Sequence, residues 1–325
     1  MTQLHTTSLR RQASELLGAY GDSPKKLMLL HTAISLGTSL LVTTIGFLLS
    51  LKIADTGGLG GMATRSILST AQSVLELAVI ILLPFWEIGI LRAALGWRKG
   101  ENAGFSHLTE GFRRFVNVFS MRFWSSAMYI AVGFAIFYFS LFIFMMTPWA
   151  APVSEQFATL LQATTTEQLQ EMLTPELTEQ LLRDMLPLMV LFGLLFGTVA
   201  LFLFYRMRFG DFFVMEGAGG VKAIVQSFQL TRGNCLQVAK IDLHFWWFYL
   251  VQGLSVAVCY GDSLLNAIGI NLPFGPDANF FLFYVAGIVI QAILFWQFNH
   301  QRLTTYCLAY DALQTPEPTQ LPPEM

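Results

Sequence analysis

Six apolar stretches, each long enough to cross a lipid bilayer, constrain this chain more than any other feature. A membrane helix needs about 20 mostly apolar residues, because every backbone polar group must be paired within the segment across a core about 30 Å thick. The stretches run over Leu27–Leu51, Ile67–Leu91, Met121–Met146, Leu186–Tyr205, Leu236–Tyr260 and Phe280–Gln297. Only 12% of the residues are charged, about half the usual share of a soluble domain. The expected fold is therefore all-α and polytopic.

The basic residues orient the spans. Sixteen of the nineteen Lys and Arg flank one side, from Arg10, Arg11, Lys25 and Lys26 through the Arg92–Arg122 and Arg206–Lys240 segments to Arg302. Lys52, Arg65 and Arg183 flank the other. The positive-inside rule places the basic side, with both termini, in the cytoplasm. The spacing divides the chain into a cytoplasmic segment 1–26, a six-helix membrane domain 27–311, and a Pro-rich disordered tail 312–325.

Amphipathic helices are expected before spans 1, 3 and 5. Leu9, Ala13, Leu16 and Leu17 recur at helical spacing, as do Phe105, Leu108, Phe112, Phe115 and Phe119, and Val221, Ile224, Val225 and Phe228. Polar residues take the opposite faces. Such helices either lie in the membrane interface, with Arg10, Arg11, Arg113, Arg114, Lys222 and Arg232 on lipid headgroups, or pack on the protein's own inner surface. Repeated three times, the pattern suggests one unit used three times. In the outer loop Thr147–Met185, Thr164 with Glu167 reads as a capping box, and Thr174-Pro175 as a helix start. Gly233-Asn234 reads as the stop of the helix before span 5.

Ionisable groups inside spans are expensive and mark candidate sites. Glu76 and Glu87 lie three turns apart on span 2, either as a proton or cation path beside Pro84, or as a protonated bundle acid and an interfacial acid paired with Arg92. Asp242 in span 5 is either a clamp to Arg206 or Arg208, or a coupling-ion site. Net charge −2 argues against nucleic acid as a partner. The sequence contains no H-E-x-x-H, G-x-S-x-G or dinucleotide fingerprint, and Cys235, Cys259 and Cys307 have no metal spacing. No catalytic residue, cofactor or metal is implied.

The stretch Ser227-Phe-Gln-Leu230-Thr-Arg-Gly233-Asn234, followed by Asp242-Leu243-His244-Phe245-Trp246-Trp247, resembles an uncharacterised family of bacterial six-helix integral membrane proteins common in Gram-positive bacteria. The closing Leu308-Ala309-Tyr310-Asp311 is similar to that family's end. His244 and Trp247 depart from its pattern, which usually has a small hydroxyl residue and glycine there. The resemblance implies a cytoplasmic-membrane protein and supplies no activity. Two functions fit: a transporter or lipid-handling protein, or a membrane-organising accessory subunit that binds anionic lipid and a protein partner or a second copy of itself. An enzyme is less favoured.

The orientation is checked with single cysteines in a cysteine-free background. A membrane-impermeant maleimide should label Ser154→Cys in intact spheroplasts and label Ser8→Cys only after permeabilisation; the opposite pattern sinks the orientation.

Overall fold

A computed structural model describes residues 5–54, 59–161, 174–267, 269–270 and 276–314. The Thr164–Glu167 box, the tail from 315 onward and part of the glycine-rich segment at 55–61 fall outside the described residues. All regular structure among the described residues is helical. The chain divides into two compact units, one of residues 1–121 and 209–325, the other of residues 122–208.

Five helices are long and apolar enough to cross a membrane: Ser23–Leu48, Ser69–Arg98, Phe115–Met145, Glu176–Met215 and Ala278–Gln314. They begin on α2 (Ser23–Ala54), α3 (Leu59–Arg98), α6 (Phe115–Met145), α8 (Pro175–Met207) and α14 (Pro276–Leu294), each longer than the apolar stretch that predicted it. The chain is thus a multi-pass helical membrane protein by length and composition. The fifth predicted span is not one helix. It divides at Phe245 into α11 (Cys235–His244) and α12 (Trp246–Cys259). An α13 (Gly261–Ala267) follows it. The last span passes through a π-helical segment, Phe295–Asn299, into α15 (His300–Gln314).

Helices precede spans 1, 3 and 5 as the periodicity requires. α1 (Thr6–Gly18) buries Leu9, Ala13 and Leu17 against the protein, so its apolar face is taken by its own chain rather than by lipid. Before span 3 the helix is interrupted: α4 (Phe105–Leu108) and α5 (Glu110–Arg113) are single turns. After α9 (Gly210–Met215), α10 (Gly220–Leu230) buries Gly220, Ala223 and Ser227 and leaves Val221 and Val225 exposed. Gly233 sits at φ +78°, the left-handed conformation that ends α10 and lets Asn234 start α11.

The first unit's core gathers at the end of the molecule where α3 and α15 finish. Tyr310 is fully buried among Phe209, Phe212 and Phe213, with ring centroids 5.6, 4.9 and 5.2 Å away, and Trp97 and Tyr306 are buried with it. Two glycines allow backbones to touch beside this core. A Cβ on Gly89 of α3 would lie 2.0 Å from the Leu108 carbonyl oxygen, and one on Gly111 would lie 2.1 Å from that of Phe85. At the opposite end, Gly287 of α14 packs against Ser255 and Cys259 of α12 in the same way.

In the second unit, α7 (Ala150–Leu160) folds against α8 around Phe144, Ala150, Val153 and Leu188. Gln156 donates to Asp184 at 2.9 Å. Thr174 caps α8 by accepting from the Leu177 amide at 3.2 Å, with Pro175 in the first turn, as its sequence foretold.

A side chain at Gly111 meets backbone, which cannot move aside as a rotamer can. Gly111→Val should destabilise the protein by about 1–3 kcal/mol, read as a lower thermal midpoint in detergent. Gly18→Ala, with open space around it, should change it little. A Gly111→Val protein as stable as wild type would remove this contact from the packing argument.

Candidate functional site

Three arrangements of side chains stand out, and the first was not anticipated. At the end of α3 the helix closes in a Schellman turn: the Gly100 amide donates to Trp97 at 3.1 Å and the Glu101 amide to Gly96 at 2.9 Å, with Gly100 at φ +81°. This turn, α5 and the end of α9 enclose a cavity of about 530 Å³. Arg92, Arg98, Lys99, Arg113 and Arg114 line it, with His107, Glu110 and Glu216.

Each arginine is held from one side. Arg92 donates to Glu101 at 3.3 Å, and Arg98 pairs with Asp311. Arg113 donates to Glu110 at 3.4 Å, while Arg114 donates to the Val214 carbonyl at 3.0 Å and lies 3.8 Å from Glu110. Glu216 accepts from the Tyr310 hydroxyl at 2.7 Å. The side chains of Arg92, Arg98 and Arg114 keep only 28%, 18% and 30% of their exposure, so these charges are half-withdrawn from water.

The second arrangement surrounds the break between α11 and α12. Asp242 is buried, and its carboxylate accepts from the Tyr249 hydroxyl. Arg302 donates to the same phenolic oxygen at 2.6 Å and to Asn299 at 3.2 Å. Its guanidinium stacks over Phe248 and Tyr249 at 4.9 and 5.5 Å. Asp242 is therefore clamped through a tyrosine to Arg302. Arg206 and Arg208, named from the sequence as cytoplasmic-rim partners for it, stack on Phe202 and Phe204. A phenol suits this place because it reaches across the break from a half-buried position, donating to the acid and accepting from the base. On the other side, His244 lies 2.8 Å from the Lys240 carbonyl through Nδ1 and 3.3 Å from the Thr6 hydroxyl through Nε2. A carbonyl only accepts, so Nδ1 carries the proton and Nε2 accepts from Thr6 in the neutral ring.

The third is an apolar groove of about 490 Å³ in the second unit, walled by Tyr129, Ile130, Gly133, Phe134 and Phe137 of α6 and by Phe192 and Phe196 of α8. Phe192 stacks on Phe196 at 5.5 Å and meets Phe137 edge-on at 5.8 Å.

The residues singled out in the sequence are scattered among these places. Glu87 is exposed on α3, whereas Glu76 shares that helix but its side chain lies outside the described ones. Arg113 and Arg114 line the cationic cavity. Arg10 stacks over Phe245 at 5.2 Å, and Arg11 pairs with Glu15 at 2.8 Å on the exposed side of α1. Lys222 and Arg232 are exposed. Of the motif residues, Ser227 accepts from the Phe209 amide at 3.1 Å, Tyr310 centres the aromatic core, and Asp311 holds Arg98. They fasten elements together rather than form a reaction centre. Among the described residues no group of three or more His, Cys, Asp or Glu could hold a metal ion. The chain matches no family model, no curated protein and no solved structure.

Removing the phenol leaves a buried carboxylate without its donor. Tyr249→Phe should lower stability by about 1–3 kcal/mol, and Asp242→Asn, which keeps an acceptor, should lower it less. Equal thermal midpoints for wild type and Tyr249→Phe would show that the clamp contributes nothing.

Proposed function

We propose that this is a lipid-handling protein of the bacterial cytoplasmic membrane, with both termini in the cytoplasm and an acyl chain held between α6 and α8. The groove there carries the reading. It occupies the middle of α6, where the surrounding solvent is hydrocarbon, and its walls are apolar. The Phe196 ring packs over Gly133, and the slot between the aromatic rings beside them is one a flexible alkyl chain can enter without leaving a polar group unpaired. In this reading α11 and α12 together make the sixth crossing. α12 alone has 14 residues, about 21 Å of helix, which is short of the hydrocarbon thickness. The family resemblance around Ser227–Phe248 fits the same architecture and adds no activity to it.

The accessory-subunit reading has one observation of its own. The most apolar stretches of α6 and α8 are only 11% buried, so a partner's helices could cover them as well as lipid does.

Lipids retained by the protein in native membrane discs distinguish the two. The lipid-handling reading expects one lipid class enriched over the bulk membrane in wild type, with the enrichment lost in Gly133→Leu, which fills the slot. Bulk composition in both proteins would overturn it and turn attention to a protein partner.

A further inference from the structure

The geometry points to a second, separate binding site: the cationic cavity takes a phosphoryl anion, as a phosphate ester. This does not depend on the groove between α6 and α8. The cavity is built by the other unit, and it would stand if the groove were empty.

The donors decide the ligand class. A guanidinium has five N–H donors in a planar fork. Arg92 and Arg98 each spend one on a carboxylate at the cavity edge, and Arg113 spends one on Glu110. Arg114 is pinned by a carbonyl. The remaining donors of four arginines, with the Lys99 ammonium, converge on one space. Two carboxylates lie in the lining itself, Glu110 and Glu216, and the second already accepts from a tyrosine. Such a surface suits a ligand with several acceptor oxygens and more than one negative charge. A phosphoryl group presents three oxygens and matches arginine forks in pairs, whereas a carboxylate fills one fork.

Placement supports the same class. The partial burial of Arg92, Arg98 and Arg114 strengthens each charge-assisted contact relative to bulk water. The carboxylates hold the side chains before a ligand arrives, so little rotamer freedom remains to be lost on binding. The volume, about 530 Å³, exceeds what a bare phosphate fills and leaves room for the group esterified to it. The cavity lies at the end of α3, beside α4 and α5, on the side that the basic residues assign to the cytoplasm, where a lipid headgroup and a soluble phosphate ester are both candidate ligands.

The test uses the full-length protein in discs of phosphatidylcholine. Inorganic pyrophosphate is titrated by calorimetry, and in a second arm phosphatidic acid is added to the discs and its retention on detergent extraction is measured. Lys99→Gln/Arg113→Gln removes two exposed cations from the lining without touching the core. Arg92→Gln removes a half-buried one. Arg11→Gln/Lys222→Gln removes two rim charges outside the cavity. Pyrophosphate binding weakened about tenfold or more in the cavity double variant, and unchanged in the rim variant, supports the site with a soluble ligand. Phosphatidic acid retained without pyrophosphate binding, and lost in the same variant, supports it with a lipid headgroup. No binding in either arm, or equal loss in the cavity and rim variants, overturns it, since the attraction would then belong to the surface as a whole. The arms read phosphate rather than acyl retention, so failure here and failure of the groove are separate results.

Discussion

The burial of Tyr310 governs the basic end of the molecule. Its ring is enclosed by Phe209, Phe212 and Phe213, and its hydroxyl donates to Glu216. One residue later Asp311 pairs with Arg98. A single turn of the last helix therefore positions α9, one wall carboxylate of the cavity and one of its arginines. Burying an aromatic residue of this size contributes the order of 1.5–3 kcal/mol, and the polar contacts ride on it. Tyr310, Tyr306, Trp97 and Phe209 are among the largest fully buried side chains of the described residues, whereas the apolar windows of the long helices are 11–29% buried. The membrane stretches lean on whatever surrounds them; the basic end is held by protein.

The two glycine contacts explain how a cavity can exist beside so dense a core. Gly89 brings α3 against the end of α4, and Gly111 brings α5 against α3, backbone to backbone. Side chains that would otherwise separate the helices are displaced outward, and those of Arg113 and Arg114 reach the space above the end of α3. The Schellman turn at Gly100 then swings Glu101 back to Arg92. Arg92 and Arg113 are consequently fixed by short local geometry, and Arg98 and Arg114 by long-range contacts to Asp311 and to the Val214 carbonyl. Carboxylates at the cavity edge keep the cluster from repelling itself when no ligand is present.

The long helices were legible in the sequence because apolar runs of this length have no other stable arrangement. Their ends were less so, as polar residues such as Ser23, Lys25 and Arg98 continue a helix whose apolar run has stopped. The cap at Thr174 was legible because its signal is local. The cavity was not. Arg92, Arg98 and Lys99 entered the reading only as charges that orient the spans, and their convergence with Arg113, Arg114 and Glu216 is a consequence of tertiary contacts between segments about 15 to 120 residues apart, which no periodicity records. Asp242 was recognisable as costly to bury, but its partner, Tyr249, carries no signal in the sequence that marks it as one. Asp242 and Tyr249 lie on either side of the break at Phe245, so helical spacing alone does not record their contact.

The broken fifth helix shows why the amphipathic α1 does not use lipid for its apolar face. A break in a membrane-associated helix frees backbone groups and is tolerated only where protein covers it. At Phe245 the cover is explicit. Its amide donates to the Asp242 carbonyl at 2.9 Å, its carbonyl accepts from Phe248 at 2.8 Å, and its ring is fully buried beneath the Arg10 guanidinium. Thr6 reaches His244, the last residue of α11. Leu9, Ala13 and Leu17 anchor α1 in the position these contacts require. The N-terminal helix is thus the lid of the break. The residues that would make it a lipid-binding helix are divided between the protein and solvent: Arg10 faces the aromatic ring, and Arg11 remains outside with Glu15. Charge and amphipathicity alone do not separate those two roles, because both the interface and a protein surface reward the same periodicity.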